Sequence, residues 1–505
     1  MKMALFSKNQ KESEENIVSP IKSLPEIIEQ LSKSKDFKQS MAINEQTGTS
    51  FQVSFISTLI DDKIIQKDLM PYLLYGKFQN LTDLKFLIPS RDCYITSDPA
   101  EIEEKIMIGC IMIKLDPNDM TVALLPATAE VGREVSPSEV EFTVGGPKES
   151  FVESIEKNLN LIRKRLPIKE LVIDEVMVGT LTKTRVAIIY IDGLTNTEDV
   201  KTMTQRIKDI NFDQIQDSAY IEEMIADNKN SPFPQLLNSE RPLKVISSLV
   251  EGKVAVVVDG SPFAIMGPSS VMSFFVSAED YLMNWAVASS IRILRIIGVI
   301  ASVFATPMYV AILTYHPEII PKDLMASLIS SRKHVPFPPF VEAMFLEITI
   351  ELLREAGARL PTKVGQTIGI VGGIVLGTAS VEASLTSNVL LILVAIAALA
   401  SFTTPVYKIS TTIRLVRFPF LLFAQLWGFL GIAFTVCILL THLIQLKSLG
   451  RPYLEPVYPP RLNDLKDSFI RFPFLRETLR PGYLHSQKPV RFQTKKENQK
   501  KDIDE

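Results

Sequence analysis

Four long uncharged runs dominate the hydrophobic pattern of this chain: Ile296–Tyr315, Val364–Val381, Ala383–Tyr407 and Phe418–Leu446. Each is close to the ~20 apolar residues that carry a helix across a bilayer, and the last has length to spare. Pro307 and Pro405 fall inside or near the ends of these runs, where they kink or end a helix. Between the first two runs lies Pro336–Leu360, a proline cluster followed by a helical pattern bearing Glu342, Glu347, Glu351 and Glu355. Carboxylates at membrane depth must face a cavity, a partner or water. An amphipathic or re-entrant helix over 336–360 is therefore expected rather than a fifth span. Four spans place both chain ends on one side. They also leave Lys408, Arg414 and Arg417 on the opposite side, which the positive-inside rule disfavours, and five spans reverse both results. We take four spans, with Arg292 and Arg295 ahead of the first one marking the cytosolic side.

The pattern upstream is different. Residues 1–48 form a polar leader with one short helix at Ile21–Ser32. Alternating and continuous apolar segments then predict strands at Phe51–Ile60, Ile106–Ile113, Thr121–Leu125, Glu139–Val144, Leu171–Val178, Arg185–Ile191 and Lys253–Gly260. Helical spacing predicts helices at Asp61–Tyr75, Phe151–Leu166, Glu198–Asp209, Ser218–Asp227 and Arg241–Val250. The expected fold is multidomain: a cytosolic two-part α/β N-terminal domain followed by an α-helical polytopic membrane domain. Its parts are 49–146, 147–285, a membrane block at 286–446 and a basic tail at 447–505.

Charge sharpens this partition. The 505 residues carry a net −3, but 1–285 holds 30 Lys/Arg against 42 Asp/Glu, 286–446 holds 11 against 7, and 447–505 holds 13 against 8. An acidic front, an apolar block and a basic tail describe a membrane protein and not a nucleic-acid binder. The N-terminus lacks the apolar core of a secretory signal, which keeps the front domain in the cytosol. Three cysteines and four histidines are scattered without metal-ligand spacing, so no metal or other cofactor is expected. The front half has no phosphate loop, nucleophile elbow or dinucleotide fingerprint, and no catalytic residue is assigned. Gly145-Gly146-Pro147, the Arg163-Lys164-Arg165 run and Glu222-Glu223 read most simply as a turn, a solvated helix end and a wet helix face.

One stretch carries a sharper signal. In VGQTIGIVGGIVLGTASV, Gly365, Gly369, Gly373 and Gly377 recur every fourth residue, with Gly372 beside them. Residues four apart share a helix face, so these positions form a stripe without side chains that lets a second helix approach closely in lipid. The opposite flank presents Val371 and Val375, apolar side chains suited to a constriction that gates by excluding water. The stripe suits either a tightly packed membrane helix or a helix lining a pore between subunits. Glu342, Glu347 and Glu351 are candidates for an acidic vestibule.

Several segments together resemble one family. They are VGGPKESFVESIEKNLNLIRKRL, SPFPQLLNSERPLKVISSLVEGKVAVVVDGSPFAIMGPSS, SFFVSAEDYLMNW, PFPPFVEAMFLEITIELLREAGARLP and VGQTIGIVGGIVLGTASVEASL. Across roughly Thr49 to Phe474 the chain is similar to the A subunits of GerA-type spore germinant receptors. That resemblance implies residence in the spore inner membrane, a transporter-like B subunit that binds the nutrient, and a lipoprotein C subunit. It also implies a homo-oligomeric ring that conducts ions when nutrient binds. The same fold occurs in a subunit of the spore's dipicolinate-associated membrane proteins, but SERP and VDGSPFA here look more like the receptor branch. A secondary transporter or a membrane-tethered scaffold are the competing classes, and oligomeric state in detergent separates them from a channel.

Overall fold

The computed structural model describes residues 23–88, 93–117, 119–129, 141, 145–359, 362–461 and 464–492, giving only the backbone of 362–371 and 466. The chain divides into two compact units: Met1–Lys229, Leu236–Ser269 and Phe474–Glu505 form an α/β unit, while Asn230–Gln235 and Ser270–Pro473 form a helical one.

The α/β unit contains two five-stranded antiparallel sheets. The first has the order β1-β2-β4-β5-β3, from β1 (Phe37–Ile43), β2 (Ser50–Ile56), β3 (Tyr94–Thr96), β4 (Cys110–Lys114) and β5 (Val122–Pro126). Strand alternation gives it two buried faces. On one face Met112, Val122 and Leu124 meet α1 (Leu24–Ser32) and α4 (Pro99–Ile108) through Leu24, Ile27, Leu31, Ile102 and Ile106. On the other face Ile111, Ile113, Ala123 and Leu125 meet Leu69, α2 (Met70–Tyr75) and α3 (Leu81–Leu87).

Two expectations change here. The leader is folded in large part, because α1 buries three apolar residues and β1 pairs along its length with β2. The strand expected at Ile106–Ile113 is half helix. Asp98 caps α4 by accepting the Ala100 N–H at 3.0 Å, and Gly109, at φ 101°, ends it before β4 begins. A left-handed residue at that point suits glycine alone. The strand expected at Glu139–Val144 lies, Glu141 apart, outside the described residues.

The second sheet has the order β6-β7-β9-β10-β8, from β6 (Leu171–Val178), β7 (Thr184–Ile191), β8 (Leu237–Ser239), β9 (Val254–Val258) and β10 (Ala264–Gly267). Helices α5 (Ile155–Arg165), α6 (Thr197–Lys208), α7 (Ser218–Ile225) and α8 (Pro242–Glu251) pack against it. The two halves of the unit are joined by a buried ion pair. Arg163, on α5, donates from Nη2 to Asp36 Oδ1 at 2.9 Å, to Ser34 Oγ at 3.2 Å, and from Nη1 to the Leu171 carbonyl at 2.9 Å. The solvated helix end expected at Arg163 is thus an interior anchor, with Arg163 0% and Asp36 1% exposed. Ser34 Oγ also accepts the Ile173 N–H at 2.9 Å, so the segment leading into β1 closes part of the β6 edge.

The helical unit contains α9 (Trp285–Tyr315), α10 (Lys322–Arg332), α11 (Pro339–Arg359), α12 (Thr362–Glu382), α13 (Asn388–Ser401) and α14 (Tyr407–Gln445). Of its described helices, α9 and α14 are long and apolar enough to cross a membrane, and α13 is a shorter apolar helix. The expected run Phe418–Leu446 is not one straight helix. Helix α14 breaks at Gly428 (φ 57°, ψ −133°) and folds back on itself, so Phe434 lies edge-on to Trp427 and Phe423. A Cβ built at Gly431 would overlap the Phe423 carbonyl, so the return arm fits only with glycine there.

Candidate functional site

The candidate site is a charged seam inside the helical unit, together with the exposed face of α12 beside it. Apolar stretches of α9, α13 and α14 bury one another, and polar groups enclosed with them need partners inside the protein.

The carboxylates of α11 obtain theirs from arginines. Glu347, 2% exposed, forms an ion pair with Arg417 of α14, and its other oxygen accepts Thr306 Oγ1 from α9 at 2.7 Å. Arg417 Nη2 donates to Ser302 Oγ at 2.8 Å, also from α9. One turn along, Glu351 is held by Arg414 Nε at 3.1 Å and Arg354 Nη1 at 3.3 Å. Arg354 in turn lies 4.3 Å above the Phe402 ring, a cation–π contact. At the other end Glu342, 0% exposed, accepts the Ser387 N–H at 2.6 Å, with Arg332 Nε 3.5 Å from its second oxygen. All three candidate carboxylates are therefore engaged by cations of the same chain.

Arg414 and Arg417 are accordingly not loop charges, and the sequence tally that counted them against four spans loses its basis. The same correction applies to Arg292 and Arg295. Both are buried in α9. Arg292 Nε and Arg295 Nη1 lie 3.0 and 3.2 Å from Asp280 Oδ2, and Arg292 Nη1 lies 3.0 Å from Asp467 Oδ1. A sequence signal for the seam existed. Glu347 and Glu351 are four apart and Arg414 and Arg417 three apart, so antiparallel helices match 347 with 417 and 351 with 414.

Helix α12 packs on α11, and only part of its glycine stripe can be placed. The surroundings of Gly365, Gly369 and Val371 lie outside what the structure describes. A Cβ at Gly372 would sit 3.1 Å from Leu353 of α11, and one at Gly377 would sit 3.7 Å from Leu391 of α13. Gly373 has open space around it, and Ile374 and Val375 beside it are 62% and 54% exposed. The stripe thus splits: Gly372 and Gly377 serve contacts within the chain, while Gly373 lies on a face that none of the described residues fills.

The α/β unit offers less. Glu222, expected on a wet face, is 8% exposed and accepts Asn238 Nδ2 at 3.4 Å. Burial pushes the Cys110 thiol up to about 11, against the opposing charge of Lys105. Among the described residues, no group of three His, Cys, Asp or Glu is arranged to hold a metal ion.

Comparison with known proteins finds relatives along most of the chain. GerQA of Bacillus cereus, a spore germination protein, is 48% identical over 473 residues, covering 94% of each chain. YfkQ of Bacillus subtilis (strain 168), named an uncharacterized membrane protein, is 40% identical over 69% of this chain and 68% of its own. The crystal structure of the N-terminal domain of the A subunit of the Bacillus megaterium spore germinant receptor GerK3 matches with 26% identity. It covers 97% of that chain and 50% of this one, at a TM-score of 0.38. The family described as Bacillus/Clostridium GerA spore germination protein matches residues 25–483. With nearly the whole chain matched in this way, the protein belongs to the GerA spore germination family.

Proposed function

We propose that this chain is the A subunit of a nutrient-responsive germinant receptor, spanning the spore inner membrane with its α/β unit in the cytosol. In this reading copies of the chain assemble side by side through α12 into a ring around an ion-conducting pore. A transporter-like B subunit supplies nutrient binding and a lipoprotein C subunit completes the complex. The observation that carries this is the unfilled face of α12. Among the described residues nothing lies within 4 Å of a Cβ placed at Gly373, and Ile374, Val375 and Leu376 next to it are all exposed. Leucine-sized side chains on such a face suit lipid, but a bare glycine among them favours a close-packed helix, because association in lipid rests on packing. The seam complements this role by holding α11 rigidly behind α12. The α/β unit acts in assembly or gating and hydrolyses nothing.

The test is reconstitution with the B and C subunits, recording ion flux with and without candidate nutrients. Gly373→Leu should abolish assembly or flux, whereas Val371→Ala or Val375→Ala should leak without nutrient. A chain that remains monomeric in mild detergent, with Gly373→Leu fully responsive and neither alanine variant leaking, would return α12 to the status of an anchor and favour a transporter or scaffold.

A further inference from the structure

Side-chain contacts within the helical unit fix the direction of every long helix in it. Two levels serve as references. At the near level, Arg295 Nε of α9 donates to the Thr403 carbonyl at 3.2 Å. At the far level, the Tyr309 and Ser387 hydroxyls are 3.1 Å apart, and the Tyr315 hydroxyl donates to the Leu426 carbonyl at 2.9 Å. Helix α9 therefore runs from near to far, and α13, from Ser387 towards Thr403, runs back. Helix α11 also runs from far to near, since Glu342 meets Ser387 at 2.6 Å and Arg354 Nη2 meets Ser401 Oγ at 3.3 Å. Between them α12 must climb again, and it does, with Gly372 beside Leu353 and Gly377 beside Leu391.

Helix α14 supplies the last pair. Its first arm starts near, where Ser410 Oγ donates to the Ser401 carbonyl at 2.9 Å, and reaches Tyr315 at Gln425 and Leu426. After Gly428 the second arm returns. Thr412 Oγ1 donates to the Pro232 carbonyl at 2.6 Å, while His442 Nε2 lies 2.9 Å from Ser231 Oγ. A straight helix would separate residues 412 and 442 by about 45 Å. Instead one short loop touches both.

The tail gives an independent count. After Pro473 the chain rejoins the α/β unit. Arg480 Nε donates to the Val250 carbonyl at 2.9 Å, at the C-terminal end of α8 where a cation is favoured. Its Nη1 binds the Lys488 and Val490 carbonyls at 2.8 and 2.7 Å. The Gln487 N–H donates to the Leu194 carbonyl at 2.9 Å, and Leu484 is 0% exposed. A segment built into a domain in this way must lie on the same side of any membrane as that domain.

We propose that the chain crosses the bilayer an even number of times, as three antiparallel pairs: α9 with α11, α12 with α13, and the two arms of α14. Residues 474–492 then share a compartment with the α/β unit, and the connector 316–338, with α10, faces the other compartment. This rests on the membrane reading above and goes beyond the four spans read from sequence. With Arg292, Arg295, Arg414 and Arg417 held in ion pairs inside the bundle, none of them weighs on the positive-inside balance.

The test uses the full chain in a Cys437→Ser background, since Cys93 and Cys110 are buried. Single cysteines are placed at the exposed positions Lys38, Ser330 and Gln487 and labelled with an impermeant maleimide in right-side-out and inverted vesicles. Lys38→Cys and Gln487→Cys should label from one side and Ser330→Cys only from the other. While the chain stays resistant to alkaline extraction, labelling of Gln487→Cys from the side opposite Lys38→Cys overturns the even count, and labelling of Ser330→Cys from the same side as Lys38→Cys overturns the three-pair arrangement. Release of the chain by alkali instead overturns the membrane reading itself. The pair Phe423→Cys and Phe434→Cys tests the fold-back separately. It should oxidise to a disulfide, whereas a straight helix holds those positions about 16 Å apart and no cross-link would form.

Discussion

Removing either half of the Glu347–Arg417 pair should destabilise the helical unit. Both side chains are nearly inaccessible, at 2% and 3%. Each has one further hydroxyl partner, Thr306 for the glutamate and Ser302 for the arginine. Deleting one member of such a pair strands the other charge in a medium of low dielectric, at a cost of about 3–5 kcal/mol. Arg417→Met and Glu347→Gln should therefore each destabilise the unit by about this amount. Replacing the pair with Met and Leu should recover most of the loss, because well-packed apolar substitutes often match a buried ion pair. The chain has only two tryptophans, Trp285 and Trp427, and both belong to the helical unit. Their intrinsic fluorescence during denaturation in detergent therefore reports on this unit alone. Single variants as stable as the parent, or a double variant as unstable as the sum of both, would refute the reasoning.

Three further outcomes are expected. Arg163→Met should destabilise the α/β unit by about 3–5 kcal/mol, leaving Asp36, among the described residues, to Ser34 Oγ at 2.5 Å and Thr58 Oγ1 at 2.8 Å; hydrogen exchange across β6 and α5 checks this, and exchange within tenfold of the parent would contradict it. Gly431→Ala should prevent α14 from folding back and lower the fluorescence-detected melting temperature far more than the ordinary Gly-to-Ala change, so an unchanged transition would count against the hairpin. Cys110 should resist a thiol reagent at pH 9 until denaturant is added, because burial raises its pKa to about 11. The folded state then keeps its proton between about pH 9 and 11 while the unfolded chain loses it, so stability contributed by this site falls as pH rises through that window. Rapid reaction of the folded protein would disprove this.

The sequence by itself determined what depends on local periodicity. The apolar runs in Leu171–Val178 and KVAVVVDG specified buried strands, and the uncharged runs specified apolar helices, because burial follows from side-chain spacing alone. The glycine spacing marked α12, and the collinear segments pointed to the right family. What depends on partners distant in the chain was not legible. Arg163 reads as a solvated helix end until Asp36, 127 residues away, is brought against it. Arg414 and Arg417 read as loop charges until α11 presents Glu351 and Glu347 at matching height. The fold-back at Gly428 hides inside an unbroken apolar run, since hydropathy carries no sign of chain direction. Only the tertiary structure decides these matters, because the energy of a buried charge is set by what lies across from it and not by its neighbours in sequence.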